Sequence, residues 1–505
     1  MNPPENARRI RSRTGGAIVI GLFVLALAIR LYYAHGFDGL YGQDAYAYYN
    51  CAAEIVRGTP ISPFYWGIGY PTLLAAGFTV FGLSPAVSQA ISLILGAALA
   101  PMLFALARAL GLTVGVSLLA GLLIAISGQA IQSSIVTMAD IPALFAAVAS
   151  ALCLLHYTRT DRRVWLMCAV GLLVYAGITR WLYFALVPAW AVLVLMHWRR
   201  IRWITSLYAA LVAGLVLLPQ IAFGLVHPTP VIDHAWVQGW SPANALRRDF
   251  VNVDGEFHYA SINAVFYAAP LIDYLYLAPY FAPFIVIGGI GRWRRSPVLV
   301  WLGLWVALPY AFLIGIPYQN IRFPLIVLPA VILLAVSGVD VAAGVLRRWW
   351  IEAASQRRRF FARALTIGTA SIVAMSLVGM LGYGSLVIRS FVAAQESDKT
   401  AIAWAQSMIP ADATIYTLGL TLPLRLTHPD GDVRELYYET QEMLETVRTR
   451  DQTEGHTTYL LVNLWQITHQ WAGRSPANAF EWLRLHRGLI EVGRQGNIIL
   501  FQVQP

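Results

Sequence analysis

Apolar runs of membrane-crossing length, separated by short clusters of arginine, recur along most of this chain. A hydrocarbon core of ~30 Å needs about 20 consecutive apolar residues in a helix, because no water is present there to satisfy a backbone N–H or C=O. Apolar segments, several of them shorter than that, lie at 16–36, 85–107, 112–128, 138–156, 164–179, 181–197, 203–226, 270–290, 297–315, 322–346 and 364–389. Composition agrees: 58% of residues are hydrophobic and only 12% charged. A soluble protein carries about 25% charged residues, so an array of soluble domains is excluded. The expected fold is mainly α, a polytopic transmembrane bundle of about eleven helices.

Charge sets the expected orientation. The formal net charge is +10, and Lys399 is the only lysine. The arginines fall between apolar runs rather than in a nucleic-acid-binding stripe, and they read as topology determinants beside anionic lipid. With the N-terminus inside, Arg8, Arg9, Arg11 and Arg13 are joined on that side by Arg108, by the clusters at 159–163, 199–202 and 292–295, and by six arginines between 347 and 363. That places about 20 basic residues inside against about seven outside, as the positive-inside rule requires. No small-x-small cleavage site follows the first run, so it reads as an uncleaved helix. The expectation is a multi-pass plasma-membrane protein with a cytoplasmic N-terminus and an extracytoplasmic C-terminal domain. Cys51, Cys153 and Cys168 are odd in number and show no CxxC spacing, so core packing suits them better than a disulfide or metal framework.

Two long outer loops are expected, at about 37–84 and 227–269, both rich in aromatics and prolines and suited to amphipathic segments at the interface. The transmembrane module is taken as 1–394. From 395 to 505 the composition turns polar. Strand patterns at 413–418, 457–463 and 498–503 alternate with helical ones at 398–408, 440–450 and 478–486, which predicts a small α/β domain.

Ionisable residues at the edge of the bilayer are costly, and four stand out on the outer side. Asp44 lies in GLYGQDAYAYYN, with Gln43 and the tyrosines Tyr46, Tyr48 and Tyr49 around it. Asp140 lies in TMADIPALF, where the chain re-enters the membrane. Each also suits a helix N-cap, Asp140 with Pro142 in the first turn. Arg180 sits in GITRWLYFALVP with no polar loop to solvate it, so it calls for an anion. Arg322, in YQNIRFPLIVLP, either binds an anion or snorkels to the headgroups. Glu54, Arg57 and His258 are weaker candidates that read as solvated. Two carboxylates and two arginines on one face suit a reaction between a membrane-borne phosphate and a molecule outside. A carboxylate takes a proton from an attacking hydroxyl, and arginine stabilises a departing phosphate.

The ordered motifs GQDAYAYY, WGIGYPTLLAAGFTVFG, MADIP, ITRWLYFALVP and YQNIRFPLIVLPAVILL resemble integral-membrane glycosyltransferases of the GT-C fold. They look most like the bacterial family 39 group related to protein O-mannosyltransferases and aminoarabinose transferases, over about residues 16–346. The resemblance implies an inverting transferase of the cell envelope that moves a hexose or pentose from a polyprenyl-phosphate donor to an acceptor (protein, lipid or glycan) on the extracytoplasmic side. It implies Asp44 as catalytic base, Asp140 as the second acidic position, and Arg322 against the donor phosphate, with Arg180, Tyr46, Tyr49 and Gln319 also binding substrate. Some relatives carry Asp-Glu at the first motif, where this chain has Asp44-Ala45. No cofactor is implied with certainty. A divalent ion bridging Asp44 and Asp140 would take over part of the arginine work, but two carboxylates without a histidine cluster do not commit the site to metal. The rival class is a transporter of lipid-linked sugars or anions, since such machines also use intramembrane charges. The paired interrupted halves common in transporters are not found here.

Overall fold

The computed structural model describes residues 5–62, 64–200, 202–227, 235–252, 254–293, 296–351, 356–428 and 431–504. Arg294 and Arg295 of the expected inner cluster lie outside these residues. Among the described residues, seven helices have the length and apolarity to cross a bilayer, or eight counting one bent pair. The expected apolar segments coincide largely with helices, except that 273–278 within the segment at 270–290 is non-helical. Those at 164–179, 181–197 and 270–290 correspond to the shorter helices Arg163–Thr179, Trp181–Leu195 and Pro279–Gly291. The three cysteines are unpaired.

The first eight helices are α1 (Glu5–Ala34), α2 (Gly42–Arg57), α3 (Gly69–Phe81), α4 (Pro85–Ala109), α5 (Val114–Ile126), α6 (Gly128–Ile135), α7 (Asp140–Thr160) and α8 (Arg163–Thr179). The first outer loop is therefore largely helical, formed by α2 and α3. Helix α4 opens with Ser84 accepting from the Ala86 N–H at 3.2 Å and with Pro85 at its first position, where no N–H is needed. Helices α5 and α6 meet at a 52° bend. A break inside a membrane protein frees backbone groups that must find partners within the protein. Here the Gln129 N–H donates to the Leu275 carbonyl at 2.9 Å, and Arg30 Nη1 donates to the Ala125 carbonyl at 3.3 Å.

The later helices close the bundle. Trp190, Trp301 and Trp305 interlock with ring centroids 4.8–5.4 Å apart in its core. The helices Ala282–Trp293 and Leu328–Ile351 approach backbone to backbone: a Cβ at Gly338 would lie 1.8 Å from the Phe284 carbonyl oxygen. Only glycine permits such packing. The helix Gln356–Met408 has 53 residues, about 80 Å at 1.5 Å per residue. It crosses the expected boundary at 394 without interruption, bearing exposed apolar side chains such as Ile367 and Val378 over its first half.

The second outer loop contains an element absent from the sequence reading, an antiparallel hairpin of β1 (Asp249–Asn252) and β2 (Gly255–His258). The C-terminal unit is a five-stranded mixed sheet of β3 (Thr414–Thr417), β4 (Asp432–Glu435), β5 (Thr458–Asn463), β6 (Leu489–Gln495) and β7 (Ile498–Val503), in the order β4-β3-β5-β7-β6. Side chains alternate across it. Ile415, Leu461 and Leu500 pack with Ala401, Ile402 and Ala405 of the long helix. Tyr416, Leu460 and Val503 pack with Leu444 and Val447 of Gln441–Glu454 and with Phe480 and Leu483 of Ser475–His486. The expected strands and helices are present, and β4 and β6 are added.

Candidate functional site

Four separate breaks in helical structure converge on one place. Asp44 lies in the first turn of α2, whose N-cap residue, Tyr41, makes no side-chain cap. Asp140 is the first residue of α7, and α7 likewise lacks a side-chain cap. The N-cap readings of both aspartates therefore give way: each carboxylate is turned to an arginine. Arg180 is extended between α8 and the 3-10 turn Trp181–Leu186. Arg322 precedes another 3-10 turn, Phe323–Val327.

The charged groups form an alternating chain. Arg180 Nε meets Asp140 Oδ1 at 2.8 Å, Arg322 Nη1 lies 3.6 Å from Asp140 Oδ2, and Arg322 Nη2 donates to Asp44 Oδ2 at 3.1 Å. The formal sum is zero, so each charge buried at the edge of the bundle has a counter-charge. Asp140 is 3% exposed and Asp44 27%. The two carboxylates are thus unequal: one is sealed beneath the arginines and the other opens outward.

The supporting residues explain the motifs. Asn320 Oδ1 accepts from both the backbone N–H and Nε of Arg322, at 3.0 and 3.3 Å. Met138 Sδ accepts from Arg322 Nη1 at 2.8 Å. The Arg180 guanidinium stacks over Phe323 at 5.0 Å. In WGIGYP, a Cβ at Gly67 would sit 2.0 Å from the Ile178 carbonyl oxygen, so the glycine lets the first outer loop lie directly on the backbone beside Arg180. The Thr137 N–H donates to the Gly39 carbonyl at 2.8 Å, tying that loop to the approach of Asp140.

All four charged candidates come together, while the expected aromatic binders do not join them. Tyr49 packs edge-on against Phe78 at 5.2 Å, and Tyr46 is partly buried against the apolar cluster that the first outer loop shares with neighbouring helices. Tyr48, by contrast, lies at the site. It is four residues after Asp44, one helical turn away on the same face. It is buried against Phe64, Trp66 and Tyr70 and lies in the field of Arg180, Asp44, Asp140 and Arg322. Burial pushes its phenol well above the ordinary range, so the hydroxyl keeps its proton. The 3.6-residue period held this signal, and Asn320, two residues before Arg322, carried an Asx-turn signal. Gln319 donates to the Ser261 carbonyl at 2.8 Å and ties the second outer loop to this segment. Glu54 is engaged by Ser62, at 2.9 and 2.6 Å, and His258 pairs with Asp249 at 3.0 Å.

A divalent ion does not fit these groups. The Arg322 guanidinium occupies the space between the two carboxylates, and among the described residues no cluster of three or more His, Cys, Asp or Glu could hold a metal.

No family model matches the chain, and no curated protein matches it by sequence. Solved structures do. ArnT from Cupriavidus metallidurans bound to undecaprenyl phosphate aligns with a TM-score of 0.62 at 14% identity, covering 97% of each chain. Its apo form aligns with a TM-score of 0.62 at 15% identity, covering 98% of each. The Archaeoglobus fulgidus oligosaccharyltransferase, in complex with Zn and sulfate, aligns with a TM-score of 0.54 at 13% identity, covering 96% of this chain and 73% of that one. End-to-end agreement with ArnT, extending from the helical bundle through the C-terminal sheet, shows that this multi-pass membrane protein has the GT-C fold.

Proposed function

We propose that the chain is an inverting glycosyltransferase that moves a monosaccharide from a polyprenyl-phosphate donor to an acceptor outside the membrane. The carrying observation is the Asp44–Arg322–Asp140–Arg180 chain, in which one carboxylate is accessible and both arginines are held by the other. The fold shared with a protein crystallised with undecaprenyl phosphate supports the donor class.

In this reading the donor phosphate enters beside Arg322 and competes with Asp44 for its Nη2. Arg322 passes to the phosphate, and Asp44 is freed as a base. The acceptor hydroxyl attacks the anomeric carbon from the face opposite the phosphate and loses its proton to Asp44. The anomeric C–O bond breaks, and its electron pair leaves on the lipid phosphate. Arg322 and Arg180 stabilise that charge, while Asp140 holds both arginines in place throughout. No step requires a metal. The arginine alternation supports a cytoplasmic N-terminus. The Gln43–Glu435 hydrogen bond, 3.0 Å, supports a C-terminal unit on the same outer side as Asp44.

The test is release of free lipid phosphate by purified protein from a panel of polyprenyl-phosphate sugars, with membrane extract as acceptor source. Release that depends on the sugar and disappears in Asp44→Asn is expected. Equal release by wild type and Asp44→Asn would reject Asp44 as the base. No release from any donor by folded protein would reject the transferase reading.

A further inference from the structure

The first turn of α2, which carries Asp44, is poorly anchored by its own sequence. Gly42 stands at its start with φ +61°, and Tyr41 offers no side-chain cap to the free N–H groups. An uncapped helix end frays. Its anchors come from the far end of the chain. Lys399 pairs with Asp38, and Gln395 Nε2 donates to the Leu40 carbonyl, both from the long helix that enters the C-terminal unit.

The third anchor is Glu435, at the end of β4. Its carboxylate accepts from the Gly419 N–H at 3.1 and 3.2 Å and from the Thr421 hydroxyl at 2.6 Å. The oxygen that takes the Thr421 hydrogen bond also accepts from Gln43 Nε2 at 3.0 Å. Gln43 immediately precedes Asp44. Gly419, at φ +77°, makes the turn that presents its N–H to this carboxylate. Burial pushes the Glu435 carboxyl above its ordinary value, which marks the contact as desolvated.

The same unit also grips the Arg322 side of the site. Arg474 Nη1 donates to the Asn252 carbonyl, and Gln470 Nε2 donates to the Asp254 carbonyl at 2.8 Å. The hairpin so held reaches the strand of chain before Arg322: Asn252 Nδ2 donates to the Pro317 carbonyl at 2.9 Å, and Phe257 packs edge-on against Tyr318 at 5.6 Å. One folded unit therefore spans both outer loops and holds segments adjoining both partners of the Asp44–Arg322 pair.

We propose that Glu435 is a positioning residue: through Gln43 it sets the first turn of α2, and with it the placement of the Asp44 carboxylate against Arg322. The C-terminal α/β unit is then part of the working site. The kinetic arm of this inference rests on the glycosyltransferase reading; its structural arm does not.

The experiment uses the full-length protein in detergent, with Glu435→Ala, Glu435→Gln, Gln43→Ala and the Gln43→Ala/Glu435→Ala double variant. Hydrogen exchange is followed at the amides of residues 42–46, beside steady-state release of lipid phosphate. Glu435→Ala and Gln43→Ala are each expected to speed exchange there about tenfold. Each is expected to lower kcat about tenfold, with the donor KM held within about twofold. The double variant should be no more than about twofold worse than the poorer single, because both act through one contact. Glu435→Gln should recover most of the rate, since its amide retains an oxygen acceptor and can pair with the Gln43 amide. Unchanged exchange at 42–46 would overturn the proposal. So would faster exchange with unchanged kcat, or losses that multiply in the double variant. If Glu435→Ala does not fold, Gln43→Ala decides, because it leaves the Gly419 and Thr421 bonds intact. If wild type is inactive on every donor, the function reading fails and exchange alone decides the contact.

Discussion

Replacing Asp140 by asparagine changes one charge and almost no volume, which makes it a sharp probe of the ion chain. The Asp140 carboxylate is 3% exposed and meets Arg180 at 2.8 Å and Arg322 at 3.6 Å. At an effective dielectric of about 20, unit charges 4 Å apart attract by about 4 kcal/mol. Desolvation of the carboxylate offsets much of the gross attraction from two such contacts, and removing one member of a buried pair costs about 3–5 kcal/mol net. Asparagine keeps an oxygen to accept from Arg180 Nε, so a loss of about 3 kcal/mol, near the lower end, is expected. At about 2.1 cal/mol/K per residue over 505 residues, that corresponds to a fall of roughly 3 °C in the thermal midpoint. The cause would be charge imbalance: Asp44, Arg322 and Arg180 together leave one positive charge in excess. Asp140→Asn/Arg180→Gln removes the imbalance and should melt above Asp140→Asn alone. Tryptophan emission during heating, at one scan rate and detergent concentration, measures both. A midpoint for Asp140→Asn within about 1 °C of wild type, or a double variant below the single, would refute the argument; the first limit is about 1 kcal/mol on the same scale.

Asp44→Asn should lower kcat by about 10²–10⁴-fold, the usual contribution of a general base. Its thermal midpoint should move little, because a partly exposed pair contributes about 0–1 kcal/mol. Arg322→Lys should lower kcat/KM for the donor by at least about tenfold, because a lysine ammonium cannot span two carboxylates as a planar guanidinium does. Tyr48→Phe should cost about tenfold in kcat/KM, whereas Tyr49→Phe, which faces Phe78, should stay within about twofold; the reverse ranking would show that the wrong helix face was assigned. Glu435, raised by burial, binds its proton more tightly in the folded protein. Its contribution to stability is then largest below the ordinary glutamate value of 4.5 and declines as pH rises from there through the folded value. The midpoint of Glu435→Gln minus that of wild type should therefore grow between about pH 4 and 7, and a flat difference would contradict this.

Much of this protein was legible without coordinates. Lipid leaves a backbone few choices, so an apolar run of sufficient length predicts a helix almost regardless of its neighbours. The four charged residues were found by the same logic, since an ion at bilayer depth needs a reason to be there. Alternation also revealed β3, β5 and β7, whose side chains face two different cores. The strands at the sheet edges, β4 and β6, did not stand out, because their side chains are partly exposed and the period-two pattern is blurred.

Pairing was decided only by the tertiary structure. No local pattern says that Arg322 lies between Asp44 and Asp140, 278 residues from the first. That depends on how far α6 turns at its bend, on Gly67 lying against the Ile178 carbonyl, and on the hairpin bracing Pro317. Nor does sequence separate the two carboxylates into a sealed one and an open one, because exposure is a property of the assembled surface. The Glu435–Gln43 contact joins residues 392 positions apart and is of the same kind. Chemical type and helical period are written in neighbouring residues. Which charges meet, and which of them stays in reach of an acceptor, is fixed by packing between distant segments.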